Sequence, residues 1–452
     1  MAEQQGGGEP RVAIIGAGLA GCLLATLLAR RGIRVHVYER RDDPRTAGPE
    51  RGRSINLAIS TRGLEALGQV GLRELSLSRA LPVHGRMVHG RDGQQSFRPY
   101  SADGTHAINS ISRTELNIAL LDVAERTPGV AIEFDRKLAD LDMATGGLTF
   151  ETSGRRRHVR ADIVLAADGA YSAARRSVTF RQGFTFSQDY LAHGYKELTV
   201  PARGGEFALD PDALHIWPRG SSMMIALPNL DRSFTCTLFW THDEFAALRQ
   251  PEQTREHFRR EYPDVAGLIP DLVDDYPHNP VGSLATIRCW PWVHHGAGCT
   301  LALVGDAAHA IVPFYGQGAN CAFEDCVEID LCLDDSGGDW TAALAAYQQR
   351  RKANCDAIAD MALDNFVEMR DRVNSRVFQA KTAARHALER RLPGRYVSQY
   401  ELVSFSTVPY AQIRDRIRRQ DRAAALAAAG AAGLAALLAA AANGRGKRGR
   451  DR

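Results

Sequence analysis

The sequence lacks the features that would mark several function classes. It has 452 residues but only eight cysteines, and none sits in a Cys-x-x-Cys pair. Cys321, Cys326 and Cys332 are five and six apart, which suits neither zinc nor redox chemistry. Reduced, buried thiols in a cytosolic protein are expected. Charge of one sign is also missing. The formal net charge is +3, too small to draw a nucleic-acid partner. Even that excess belongs to the last nine residues, Gly444 to Arg452, which carry five bases and one acid. Met1 to Pro10 is polar and Gly-rich, without the basic and apolar regions of a secretory signal. Long apolar runs are absent with one exception. Ala423 to Ala442 is twenty residues of Ala, Leu and Gly only, but just four are leucine. A surface Ala-rich helix, a peripheral membrane helix and a true anchor all remain open for it.

What is present describes a soluble globular chain, 44% hydrophobic and 24% charged, long enough for roughly three domain-sized units. Disordered, collagen-like and disulfide-scaffold classes are excluded.

The first ordered unit is a strand, a glycine turn, a helix and a second strand. Arg11 to Ile15 is a short β-rich apolar run, and Gly16-Ala17-Gly18-Leu19-Ala20-Gly21 follows directly. Cys22 to Arg31 is Leu/Ala-rich and helical, Gly32 ends it, and Arg34 to Glu39 alternates as a strand. In such a turn Gly16 permits the tight bend, Gly18 lets backbone approach a pyrophosphate, and Gly21 lets helix and strand pack closely. Glu39 ends the second strand, where a carboxylate accepts hydrogen bonds from the adenosine ribose. That acid suits FAD or NAD and disfavours a 2′-phosphate.

Two more turns follow buried strands. One is Ala166-Ala167-Asp168-Gly169, with Arg175 beyond it. The other is Gly305-Asp306-Ala307-Ala308-His309, leading to Gly316-Gln317-Gly318-Ala319-Asn320. Asp306 is placed to take a flavin ribityl hydroxyl, and Gly318, Ala319 and Asn320 to offer backbone N–H groups to the ring. Residues 84–100 read as a hairpin around Asp92-Gly93. From 184 to 283 alternating strands dominate, as an inserted antiparallel sheet. Residues 341–420 read as a helical region and 421–452 as a tail. The fold class expected is α/β: a Rossmann-like FAD-binding domain over 11–183 and 284–340, an inserted antiparallel-sheet substrate domain, and a C-terminal helical lid.

Taken in this order, the three glycine motifs resemble those of the FAD-dependent aromatic hydroxylases of the para-hydroxybenzoate hydroxylase type. A denser likeness, over about 11–418, is to the kynurenine 3-monooxygenase family. It is carried by Arg51-Gly52-Arg53-Ser54-Ile55-Asn56-Leu57-Ala58-Ile59-Ser60, His193 to Leu198, Leu214 to Arg219, Met223 to Asn229, Ser233 to Phe239 and Asp364 to Asp371. Glu324-Asp325-Cys326, Phe405-Ser406 and Pro409-Tyr410 continue it.

The resemblance implies bound FAD, with NADPH as a transient co-substrate. It implies hydroxylation of L-kynurenine at ring position 3 with O₂, through a flavin 4a-hydroperoxide. The alternatives are a hydroxylase of another anthranilate-like aromatic, or a FAD oxidase or dehydrogenase of the same fold. It places FAD against Gly16, Gly18, Leu19, Ala20 and Gly21, against Glu39 and Arg40, and against Ala58, Arg113 and Leu138. Arg86 and Tyr100 match the positions that hold the substrate carboxylate; Asn365 and Tyr400 match further substrate contacts. The strand faces of Met223, Ile225 and Leu227, and of Thr237 and Phe239, become walls for the aniline ring, joined by Phe314, Tyr315 and Met369. No protein acid or base and no metal is implied.

The residues alone leave plainer readings open. Taken alone, Arg86 reads better as a surface arginine in a hairpin, and the strand faces as ordinary core. Asn365 shares a helix face with Ile358, Ala362 and Met369, so its amide needs a buried partner, either a ligand or a facing carbonyl. His309 reads as structural, and His294-His295 lacks further metal ligands. The family commonly has Met where this chain has Ala319.

Overall fold

The computed structural model describes residues 9–46, 56–101, 103–372, 387–392 and 394–448. The Arg51 to Ile55 part of the motif quoted above therefore lies outside the described residues.

Two large sheets organise the molecule. The first has six strands in the order Val293–His295, Thr300–Leu303, Ile163–Ala166, Val12–Ile15, Val35–Tyr38 and Val130–Glu133. All neighbours are parallel except the edge strand Val293–His295. The central strands Val12–Ile15 and Ile163–Ala166 are buried at every residue, as a sheet covered on both faces requires. The helix Leu19–Arg30 buries ten of its twelve residues on this sheet. Its Leu/Ala composition gives it high helix propensity and a nearly all-apolar surface. Counted along the chain, the parallel strands lie in the order 3-2-1-4-5. Their direction of winding reverses between Val12–Ile15 and Ile163–Ala166, where such sheets open a crevice at the carboxyl ends.

The second sheet has seven strands: Gly282–Trp290, Thr185–Val200, Phe234–Thr241, Met223–Pro228, Ala213–Pro218, Gly85–His89 and Gln95–Pro99. The 84–100 hairpin thus extends the inserted sheet, with Gly85–His89 parallel to Ala213–Pro218. The domain boundary expected at 283/284 falls inside the strand Gly282–Trp290, at the other edge. Period-2 alternation divides the faces. Trp217, Met224, Leu238 and Trp240 join Phe258, Tyr262 and Tyr276 in a separate core under the helices Pro251–Glu261 and Leu272–His278. Met223, Ile225, Leu227, Thr237 and Phe239 point the other way, towards the first sheet.

Long helices close the assembly. Gly318–Asp335 and Trp340–Val367 pack on each other, and Glu368–Arg372 continues the second as a π-turn. Asp339 caps Trp340–Val367 by accepting from the Thr341 and Ala342 N–H groups. The Ala423–Ala442 stretch lies in the helix Tyr410–Arg448. Among the described residues no helix is long and apolar enough to cross a membrane.

Candidate active site

The three glycine motifs sit at the carboxyl ends of three neighbouring strands of the parallel sheet. The reason lies in the backbone. Gly16 has φ +102°, and a Cβ there would stand 2.6 Å from the Ala167 carbonyl oxygen. A Cβ on Gly21 would stand 1.9 Å from the Gly16 oxygen. Gly18 has nothing within 4 Å of its own absent Cβ. Two glycines therefore let the chain close on itself, and the third faces open space.

Side chains stitch the motifs together. The Glu39 carboxylate accepts from Ala17 N–H at 2.9 Å and from the Arg41 N–H and Nε–H. Asp168 accepts from the Ala173 and Ala174 N–H groups at 2.7 and 3.1 Å. Arg175 donates to the carbonyls of Ala170 and Ala307 at 2.6 and 2.7 Å, joining the second motif to the third. Asp325 accepts from Gly305 N–H at 2.9 Å, just before Asp306. Its other partners are His309 at 2.5 Å and the Arg351 Nε–H at 2.7 Å. Burial opposes ionisation of Asp325, but His309 and Arg351 overcome it and hold the carboxyl below its usual range. Burial likewise opposes protonation of His309, and Asp325 overcomes it, so the imidazolium persists well above the ordinary histidine value. The structural role expected for His309 is the one the network gives it.

Between the sheets lies a cavity of about 520 Å³. Gly18, Leu19, Ala20, Ala58, Arg113 and Asp306 line one part. Gly318 and Ala319 line it at the start of the helix Gly318–Asp335, where the first N–H groups have no partner within the helix. Of the other residues expected to meet a cofactor, Gly16 and Gly21 shape the turn from behind. Asn320 does the same for its own segment: its amide donates to Ala58 and Gly316 carbonyls at 2.9 and 2.8 Å and accepts from Ser60 N–H. Arg40 is exposed, and Leu138 is buried in the strand Lys137–Asp142; neither lines the cavity.

The far part of the cavity is apolar except at one end. Met223, Ile225, Leu227, Phe239, Phe314 and Met369 form its walls, with Thr237 among them. Phe314 stacks on Phe366 at 4.1 Å and meets Phe239 edge-on at 5.0 Å. The polar end is lined by Arg86, Tyr315 and Tyr400, and Tyr100 stacks on Tyr400 without itself lining the cavity. Tyr400 stacks between Tyr100 at 4.6 Å and Tyr315 at 5.7 Å, and the Arg86 guanidinium lies 4.7 Å from the Tyr400 ring. The Arg86 Nε is buried and has no hydrogen-bond partner among the described residues, and the buried Tyr100 hydroxyl has only the Arg86 and Tyr400 side chains beside it. Burial drives the Tyr100 hydroxyl well above the usual range, so it stays protonated and able to donate. Asn365 is adjacent but turned away from the cavity: its amide donates to the Phe314 carbonyl at 2.6 Å. The facing carbonyl, one of the two partners the spacing left open, is that of Phe314.

Sequence reasoning missed Glu368, whose charge acts on both Arg86 and Tyr315. The signal was its position three residues after Asn365 on a helix. It also missed Arg62 and Arg351, buried on Glu324 from opposite sides at 2.6 and 3.0 Å. Neither the short helical segment around Arg62 nor the polar run Gln348 to Asp356 around Arg351 gives a sign that the arginine faces inwards.

The cavity fits a dinucleotide. Gly18 leaves the space a pyrophosphate needs, the start of Leu19–Arg30 is uncapped by any side chain, and Asp306 faces the same opening. The comparisons agree. The family model for the FAD binding domain matches residues 9–362. The kynurenine 3-monooxygenase of Myxococcus xanthus (strain DK1622) is 48% identical over 405 residues, covering 88% of this chain and 86% of that protein. Those of Salinispora arenicola and Dictyostelium discoideum are 44% and 43% identical, each over about nine-tenths of both chains. This chain belongs to the kynurenine 3-monooxygenase family. It is a FAD-binding enzyme of the aromatic-hydroxylase fold. Among solved structures, 2-methyl-3-hydroxypyridine-5-carboxylic acid oxygenase superposes with a TM-score of 0.65 at 21% identity, over 88% of this chain and 96% of that one. P. aeruginosa PqsL, solved with 2-aminobenzoylacetate, gives 0.64 at 22%, over 80% and 97%. At such identity the likeness concerns the fold alone.

Proposed function

We propose that the chain is an FAD-dependent monooxygenase that hydroxylates L-kynurenine at ring position 3, consuming NADPH and O₂. The observation that carries the reading is the buried Arg86, which lines the far, largely apolar part of the cavity and whose Nε–H has no hydrogen-bond partner among the described residues, with the Tyr100 hydroxyl beside it. An unmet buried donor is costly, and a carboxylate meets both. Kynurenine offers an amino-acid carboxylate at one end and an aniline ring at the other.

The chemistry FAD supplies when bound is hydride acceptance and O₂ activation. The chain's own residues bind and orient. In this reading Leu19, Ala20 and the open space at Gly18 receive the pyrophosphate, and Asp306 accepts from a ribityl hydroxyl. The free N–H groups of Gly318 and Ala319 face the ring, where they stabilise negative charge. Arg86 and Tyr100 fix the carboxylate, and Tyr400 supports both by stacking. Met223, Ile225, Leu227, Phe239 and Phe314 hold the aniline ring and exclude water. The aniline nitrogen already directs electron density to the carbon beside it, so no strong protein base is needed. Asn365 acts indirectly by holding Phe314.

The test is turnover with L-kynurenine, NADPH and O₂, followed by product analysis. One 3-hydroxykynurenine per NADPH is expected. NADPH oxidation without hydroxylated product would overturn the reading. Hydroxylation of an analogue lacking the carboxylate at the same KM would move it to another anthranilate-like substrate.

A further inference from the structure

Beneath the cofactor-facing turn lies a group that the hydroxylation does not use. Cys321, in the first turn of Gly318–Asp335, has its Sγ 3.6 Å from the Sγ of Cys355 on Trp340–Val367. Both thiols are essentially fully buried. The Arg351 Nη2–H groups point at the Cys321 carbonyl at 3.1 Å, at its sulfur at 3.2 Å and at the Cys355 sulfur at 3.7 Å. His309 completes the group, its ring nitrogen within 4.8 Å of both sulfurs.

We propose that Cys321 and Cys355 form a dithiol modification site, oxidised by hydrogen peroxide to a disulfide that ties the cofactor-facing helix to the helix carrying Asn365.

Chemistry separates this pair from the other cysteines. Burial pushes up the thiols of Cys22, Cys236, Cys289, Cys299, Cys326 and Cys332, which keeps them protonated and inert. Cys321 goes the other way, pulled down to about 6 by the Cys355 S–H, with Arg351 and His309 adding to the pull against burial. Burial pushes Cys355 up, and the hydrogen bond to Cys321 adds to it, so it holds its proton. One thiolate nucleophile beside one thiol is the arrangement that sulfenic-acid formation and resolution require. The Cys321 thiolate attacks one peroxide oxygen, the O–O bond breaks, and the leaving hydroxide takes the proton of the His309 imidazolium. Cys355 then gives up its proton as its sulfur displaces the hydroxyl from Cys321, releasing a second water. The two sulfurs lose two electrons and the peroxide gains two. The sulfurs need to close by about 1.5 Å to reach bonding distance.

Cys321 does not itself line the cavity, so peroxide must reach it past the residues of its helix that do. Ala319 and Ala322, flanking Cys321 on its helix, both line the cavity, and peroxide is a small neutral molecule. A metal ion is the competing occupant of two sulfurs and an imidazole. The fixed charge of Arg351, 3.2 Å from Cys321 Sγ, opposes it. The proposal does not depend on which aromatic the enzyme hydroxylates.

The test uses the full-length FAD-loaded protein, reduced and then exposed to a small excess of hydrogen peroxide. Accessible thiols are counted after denaturation, and a non-reducing digest is mapped by mass. The expected result is a thiol count falling from the eight of the sequence by two. A linked Cys321–Cys355 peptide appears, and dithiothreitol restores the count. The rate changes little between about pH 7 and 9, unlike that of an ordinary thiol. Cys355→Ser leaves a dimedone-reactive sulfenic acid at Cys321, and Cys326→Ser still forms the bond. Eight thiols surviving peroxide, a disulfide between other cysteines, or one zinc per chain retained through purification would each overturn the proposal. If Cys355→Ser fails to fold, the peptide map of the unmutated protein still decides.

Discussion

The cofactor half and the substrate half of the cavity are built on opposite plans. Around the glycine turns, space is set by backbone: Gly16 and Gly21 meet main-chain oxygens where any Cβ would stand. Around the substrate end, space is set mainly by side chains on sheet and helix, with Gly85 beside Arg86 an exception where a Cβ would stand 2.5 Å from the Arg98 carbonyl oxygen. A buried histidine from each region differs as well, although His215 lies on the face of its sheet turned away from the cavity, against Trp217 and Phe234. His309 is kept charged by Asp325 under the cofactor turn. His215, in the substrate sheet, is kept neutral by burial, its value lowered to about 4 despite the Asp210 carbonyl. A half built from backbone tolerates almost no substitution. A half built from side chains keeps its fold under substitution and changes what it binds.

The largest effect that tests this contrast is expected from Gly21→Ala. The added methyl would meet Gly16 oxygen at 1.9 Å, so main chain must move. A loss of about 3 kcal/mol or more is expected, with FAD lost on purification. Gly18→Ala, with open space, keeps the thermal midpoint of the apoprotein and loses FAD affinity only. Equal melting of the two variants would erase the distinction.

Second is the pH dependence. The unfolded chain protonates His215 near pH 6.5, whereas the folded protein resists until about 4. The unfolded state binds more protons in that window, so stability falls as pH drops from about 6.5 to 4, by about 3 kcal/mol for this group. His309 has the opposite sign: its contribution is complete below about pH 6.5 and is lost only as pH rises through its raised folded value. Denaturant titrations across pH should show a slope that flattens in His215→Gln. An unchanged slope would remove His215 as its source.

Third, Arg86→Met should leave FAD content and melting intact and raise the KM for L-kynurenine by about 30-fold or more, equivalent to about 2 kcal/mol. A fall in FAD content instead would place Arg86 in the wrong half. The smallest effect is expected from Tyr100→Phe. It removes a neutral donor but keeps the stack on Tyr400, so KM should rise about fivefold, near 1 kcal/mol.

The same contrast explains what the sequence made legible. The glycine turn, Asp306 and the Gly316 to Asn320 stretch are local patterns tied to strand ends, and the structure gathers them at one crevice. The alternation of 223–227 and 237–239 announced a face, and that face lines the cavity. What escaped depends on packing between distant segments. Asn365 offered two partners on spacing alone, and which carbonyl faces it depends on the approach of Phe314. The hairpin's membership of the second sheet rests on pairing with Ala213–Pro218, more than a hundred residues away. Cys321 looked inert beside Cys326 and Cys332 because its neighbour in space, Cys355, comes from the next helix.

The most direct test of the central claim is anaerobic flavin reduction by NADPH, followed by absorbance with and without L-kynurenine. A substrate that fills the apolar slot and meets Arg86 and Tyr100 should accelerate reduction by an order of magnitude or more. Arg86→Met should lose most of that acceleration while retaining FAD. Equal rates with and without L-kynurenine, in folded protein with FAD bound, would contradict the account.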